Sequence, residues 1–241
     1  MIVRSETVYT DASGSGPQGY LVRPNDDALG DSATTARTTH PGIVLIQEWW
    51  GIEPHVRDMA QRLAAQGFTV LVPDLYHGQI ATEPDDAMKL MMLVRSNVDR
   101  ALGEIVLALD YLRADARVSP AGLGIMGFCM GGFLTYKIAT RYPHLAAISP
   151  WYGGGYDPAQ EDLSKVNAPV LSIYGELDQG IPLEQIERVQ KAFASAGKEI
   201  TVKIYKGAGH AFNNNTHGSY NEAAAKEAWQ VVVDFFKKNL V

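Results

Sequence analysis

An α/β fold with a mostly parallel central sheet is the architecture this sequence predicts, on three observations. From residue 43 to the end, short apolar runs alternate with amphipathic stretches of helical period. Strands joined through helices pair in parallel and carry helices on both faces. The runs are continuous rather than alternating, the pattern of strands buried on both sides. Finally, the 241 residues are 46% apolar and 20% charged, an ordinary globular balance, and α/β folds of this size form around one core, so a single domain over 1–241 is expected.

The elements follow in order. Val8 to Pro24 carries a modest strand signal around a Gly-rich turn, clearest at Gly19, Tyr20, Leu21 and Val22. Residues 25–40 are small and polar without an apolar period, and read as a surface loop. Residues 43–47 (IVLIQ) form a buried strand. Pro54 suits a first helical turn, and Val56, Met59, Ala60, Leu63 and Ala64 keep a 3.6 period that Gly67 stops. Residues 68–72 are a second buried strand, ended by Pro73. A long helical region follows, with Leu90 to Val94 in its first part and Ala101, Leu102, Ile105, Val106, Leu109 and Leu112 striping its second. Residues 121–126 read as a strand and Phe133 to Tyr142 as a helix, with strands again at Leu145 to Ser149 and Val170 to Tyr174. Pro182 opens a helix that Gly197 closes, Glu199 to Tyr205 alternates like a strand, and Ser219 with Glu222 fits a capping box for the last helix.

Composition excludes several classes. The formal net charge is −6 and no Lys/Arg run marks a nucleic-acid groove. A lone cysteine, Cys129, permits no internal disulfide. The N-terminus lacks the apolar stretch of a secretory signal, and no window approaches a membrane span, so a cytoplasmic protein with neither membrane nor nucleic-acid partner is expected. No two histidines have i,i+4 spacing and one cysteine builds no thiolate cluster, so no metal and no cofactor are expected.

The strongest local signal is Gly127-Phe128-Cys129-Met130-Gly131-Gly132, between a strand-like and a helix-like run. It is the G-x-S-x-G nucleophile elbow with cysteine in the serine place. Such a turn strains the nucleophile's backbone, needs small residues two before and two after it, and projects the side chain above the sheet. The amino end of the following helix favours thiolate over thiol. A lone cysteine in a Gly-rich turn also fits a buried structural residue. The neighbouring glycines do not give a dinucleotide-binding register, because Gly122-Leu123-Gly124 opens its strand instead of closing it.

Nucleophilic catalysis needs a base and an orienting carboxylate, in the chain order nucleophile, acid, histidine for elbow hydrolases. Asp178 follows the strand 170–174, with Glu176 as its rival, and His210 follows the strand ending near Tyr205, so both fall at carboxyl strand ends with Cys129. His40, His55, His144 and His217 read as surface or capping residues, and His77 as the one other histidine near the active edge. Glu48, between a buried strand and two tryptophans, requires a partner. The backbone N–H of Met130, just after the nucleophile, is one oxyanion donor, and the Glu48–Gly51 loop is the place for the second. Trp49, Trp50, Tyr76, Phe128, Tyr152 and Phe212 fall near the same edge and suggest an apolar pocket for a small, flat substrate.

With Gln47-Glu48-Trp49-Trp50-Gly51, Pro73-Asp74-Leu75-Tyr76, the elbow, the Gly175 to Asp178 turn and Gly209-His210-Ala211-Phe212 in place, the chain resembles the dienelactone hydrolase (carboxymethylenebutenolidase) family of the α/β-hydrolase fold over nearly its whole length. The resemblance implies a triad of Cys129, His210 and Asp178, a Glu48 that regulates the thiol's ionisation, and oxyanion donors from the backbone of Trp49 and Met130. It implies hydrolysis of a lactone or small activated ester through a cysteine thioester. The family opens the lactone ring of dienelactones in aromatic degradation, and relatives act on other lactones or esters. The family pattern carries an arginine four residues after the histidine to hold a substrate carboxylate; here that substrate-contacting position is Asn214, a neutral amide without arginine's charge or fork. Arg95 and Arg100 are the other candidates for an anion contact. A general carboxylesterase or thioesterase is the alternative activity, a non-catalytic binding protein or a redox-active thiol the alternatives of another class. The expected partner is a small lactone or ester, the chain a monomer or homodimer.

Overall fold

The structure is a computed structural model that describes residues 3–9, 16–25 and 39–241. The loop expected over 25–40 lies, apart from its ends, outside the described residues. Among the described residues, eight strands form one sheet in the order β1-β2-β4-β3-β5-β6-β7-β8. They are β1 (Val3–Tyr9), β2 (Gln18–Pro24), β3 (His40–Ile46), β4 (Thr69–Pro73), β5 (Val118–Phe128), β6 (Leu145–Trp151), β7 (Val170–Gly175) and β8 (Ile200–Tyr205). The β1–β2 and β2–β4 pairs are antiparallel and the rest parallel, so the fold is the single-domain α/β one expected.

The helices are α1 (Pro54–Ala65), α2 (Pro84–Ser96), α3 (Val98–Ala114), α4 (Met130–Ala139), α5 (Leu183–Ser195) and α6 (Glu222–Leu240). Two cores result. On one face α1 and α6 bury Val56, Met59, Leu63, Val232 and Phe236 against Val70, Val72 and Met126. On the other, α3, α4 and α5 bury Ile105, Leu109, Leu134 and Phe193 against Val44, Leu71 and Ile125. Full burial of each such side chain contributes roughly 1.5–3 kcal/mol, which is why continuous apolar strands fix the layering.

The chain runs from β3 through α1 to β4 on one side, then returns past β3 to β5 on the other. Connections diverge in this way at a topological switch point, where the carboxyl strand ends leave a crevice. Glu48 follows β3 and Cys129 follows β5, so the two flank that crevice.

Four local expectations differ from the structure. The helical region after residue 84 is two helices, because Asn97 breaks the first and caps the second by accepting from the Arg100 N–H at 3.3 Å. Helix α4 starts at Met130, three residues before its apolar stripe, since Gly131 and Gly132 give no helical signal. The capping box does not form: Asn221 caps α6 by accepting from the Ala224 N–H at 3.1 Å, while Ser219 Oγ donates to the Ala211 carbonyl. His40 opens β3 instead of lying in a loop.

Candidate active site

Beyond β3 the chain turns back within Glu48–Gly51, where Gly51 takes φ 96° and donates to the Glu48 carbonyl at 3.4 Å. Only glycine fits: a Cβ there would sit 2.9 Å from the Gln79 carbonyl oxygen. The Trp49 N–H occupies the second position of this turn, outside the turn's own hydrogen bond.

At the end of β5, Cys129 has φ 53° and ψ −112°, a conformation that costs a non-glycine residue about 1–3 kcal/mol and persists because its surroundings over-determine it. Its N–H donates to the Trp151 carbonyl at 3.1 Å and its carbonyl accepts from the Phe133 N–H at 3.0 Å. The turn closes because Gly131 presses on β3: a Cβ on Gly131 would come within 2.6 Å of the Ile46 and Gln47 carbonyl oxygens. Met130 is the first residue of α4, so its N–H has no acceptor within the helix.

His210 Nδ1 lies 2.6 Å from Asp178 Oδ2, and His210 lines one cavity with Cys129. Burial opposes a charge on His210, but the Asp178 carboxylate and the neighbouring Cys129 outweigh it and push its pKa up to about 10. Asp178 Oδ1 accepts from the Gly180 N–H at 2.9 Å, which orients the carboxylate. Its rival Glu176 is exposed and accepts from the Gly207 N–H instead.

Glu48 is 1% exposed. Oε1 accepts from the Tyr152 hydroxyl at 3.2 Å and Oε2 from Asn214 Nδ2 at 2.9 Å. Burial pushes this carboxyl up to about 7; the bonds from Asn214 and Tyr152 and the nearby His210 oppose the rise, and Glu53 adds to it.

Glu48, Cys129 and His210 share a cavity of about 420 Å³ whose apolar walls are Trp49, Trp50 and Met91. Trp49 packs edge-on to Trp50 at 4.9 Å, and Trp50 stacks on His217 at 4.4 Å between centroids. Among the described residues lining the cavity none is lysine or arginine.

Several expected wall residues do not line this cavity. Phe128, Tyr152, Phe212 and Asn214 are wholly buried beneath it. The three aromatic rings pack on one another, with Phe128 and Phe212 5.7–6.0 Å from Tyr152, and Tyr152 carries His210 on its edge at 5.2 Å. Asn214 turns inward because it serves the Glu48 carboxyl. Tyr76 faces elsewhere too: its hydroxyl donates to the Trp49 carbonyl at 3.1 Å, and with His77, Arg100 and Glu104 it lines a neighbouring cavity of about 360 Å³. Arg100 pairs with Glu104 there, and Arg95 donates to the Gly154 carbonyl over the Phe133 ring, and neither lines the cavity that holds Cys129. His55, expected near the surface, is 2% exposed, and burial lowers its pKa to about 4.

Met91 and His217 line the cavity without a sequence signal that marks them for it. Met91 sits on a helix whose apolar residues run all round it, and His217 in a polar loop, so neither carried a periodic signal.

The Dienelactone hydrolase family model matches residues 29–240. The chain is 34% identical over 210 residues to the protein of Escherichia coli O157:H7 named "Putative carboxymethylenebutenolidase", covering 82% of this chain and 77% of that one. It is 32% identical over 205 residues to "Protein usf" of Aquifex pyrophilus, covering 83% and 89%. A dienelactone-hydrolase-like promiscuous phosphotriesterase from metagenomic libraries superposes with a TM-score of 0.85 over 100% of both chains at 21% identity, a likeness of fold.

Proposed function

The chain belongs to the dienelactone hydrolase family, and from that premise we propose that it hydrolyses the ester bond of a neutral lactone or small activated ester through a thioester on Cys129. The observation that carries this reading is the line Asp178–His210–Cys129 opening into an apolar cavity.

In the acylation step the Cys129 proton passes to His210, and the sulfur attacks the ester carbonyl carbon. The N–H groups of Trp49 and Met130 receive the oxyanion. The tetrahedral adduct collapses by breaking the C–O bond, and His210 returns its proton to the departing alkoxide; in a lactone this opens the ring and keeps both halves on one acyl group. His210 then takes a proton from water, whose oxygen attacks the thioester carbonyl. Loss of the thiolate releases the acid. Asp178 holds the imidazole tautomer throughout. Because a thiolate leaves easily, activated and enol esters are the natural substrates and unstrained amides are poor ones.

The substrate's charge follows from the cavity wall. A carboxylate brought beside Trp49, Trp50 and Met91 would lose hydration, and among the described residues no lysine or arginine lines the cavity to replace it. Charge-assisted hydrogen bonds contribute roughly 1.5–3 kcal/mol against about 1 for neutral ones. We therefore expect a dienelactone carboxylate to be turned over about three- to thirty-fold less efficiently than its methyl ester. Measuring kcat/KM for both on one preparation tests this, and a preference for the free acid would place an anion contact in the site and return the substrate to the dienelactones.

A further inference from the structure

Asn214 bridges two buried carboxyls. Its Oδ1 accepts from the Thr216 N–H at 2.9 Å and from the Thr216 hydroxyl at 2.6 Å. A backbone N–H can only donate, so the amide orientation is settled: the oxygen faces Thr216 and the NH₂ faces the carboxyls. One N–H reaches Glu48 Oε2 at 2.9 Å, and the same nitrogen lies 3.5 Å from Glu53 Oε1. Glu53 is 6% exposed, and its other oxygen accepts from the His55 N–H at 2.8 Å as the cap of α1.

An amide supplies two dipolar donors and no charge. It aligns both carboxyls but cannot neutralise either, so a negative charge on one opposes a charge on the other. Burial raises the pKa of Glu53 as it does that of Glu48.

We propose that Glu53 is a positioning residue of the catalytic site, acting through the shared Asn214 amide to control the charge state of Glu48. This rests on the thiol chemistry assigned to Cys129 above. The consequence concerns the sulfur. Glu48 and Cys129 line one cavity and share one cationic partner, His210. With Glu48 neutral, His210 compensates the thiolate alone; with Glu48 ionised, the thiolate forms beside a second anion.

The groups facing Glu48 come from every neighbouring element: Tyr152 after β6, His210 and Asn214 after β8, Cys129 at the elbow, and Glu53 from its own loop. Those around Glu53 are Asn214, His217 and the start of α1 at His55 and Val56. His217 favours the charged form of Glu53.

The test is a carboxyl ¹³C titration of the whole protein with labelled glutamate, the Glu48 resonance being assigned by its loss in Glu48→Gln. In Glu53→Gln the amide oxygen can still accept from the His55 N–H, while the charge is gone. The Glu48 midpoint is expected to fall by about one pH unit, and the loss of kcat/KM that accompanies Glu48 ionisation as pH rises to move to lower pH with it. Glu53→Asn, a shorter uncharged cap, is the second variant should the first not fold, and the same downward shift is expected. A midpoint that stays within about 0.2 unit of the parent in a folded variant overturns the proposal and leaves Glu53 as a helix cap. The titration needs no substrate. If the midpoint falls while no ester is hydrolysed, the coupling stands and the assigned activity fails.

Discussion

Among the described residues, the buried Glu48 carboxyl has two hydrogen bonds, from Tyr152 and Asn214, and no cation in direct contact. Its ionisation therefore follows the desolvation cost, and the effect reaches the stability of the whole fold. The folded-state pKa of about 7 lies above the ordinary 4.5. Between those values the folded protein binds more protons than the unfolded chain, so this side chain's contribution falls as pH rises through the window. Glu48→Gln removes that dependence. Relative to the parent, the variant is expected to gain on the order of 3 kcal/mol between pH 4.5 and pH 7. His55 acts with the opposite sign, since its lowered pKa makes acid destabilising, and the difference between variant and parent isolates Glu48. Denaturant unfolding across that pH range makes the measurement; parallel curves for the two proteins would show that Glu48 is already ionised in the fold.

At the scale of elements, the sequence announced the strands and most helices because their apolar runs are long and periodic. It misplaced boundaries where the last residues are glycine, as at Gly131 and Gly132, or where a side chain breaks a continuous pattern, as at Asn97. The start of α6 is a case of two plausible caps. Ser219 and Glu222 have capping-box spacing, yet the loop carries Ser219 Oγ to the Ala211 carbonyl and leaves Asn221 beside the Ala224 N–H. Asn221→Ala is therefore expected to lower stability by about 1 kcal/mol, and Ser219→Ala by well under half of that. Thermal unfolding of the two variants compares them directly, and equal losses would return the cap to Ser219.

The site is a property of the whole molecule. Cys129, Asp178 and His210 were legible because each follows a strand, and chain order alone puts three strand ends on one edge of a parallel sheet. Glu48 was legible as a carboxylate in need of a partner. What lies under the site was not. Whether Tyr152, Phe212 or Asn214 points into the cavity or into the core depends on packing between β6, α1 and the loop after β8, which no local pattern carries. The same holds for the two tryptophans, of which Trp50 meets a histidine 167 positions onward in the chain. The proposed function carries one chemical claim above the others: the acyl group passes through sulfur. Rapid acid quench of the enzyme with an activated aryl ester, followed by intact-mass and peptide mass spectrometry, tests it. An acyl adduct on the peptide bearing Cys129, cleaved by hydroxylamine and absent in an inactive Cys129→Ala, is the predicted result. Turnover that survives in Cys129→Ala, or an adduct on another residue, would contradict it.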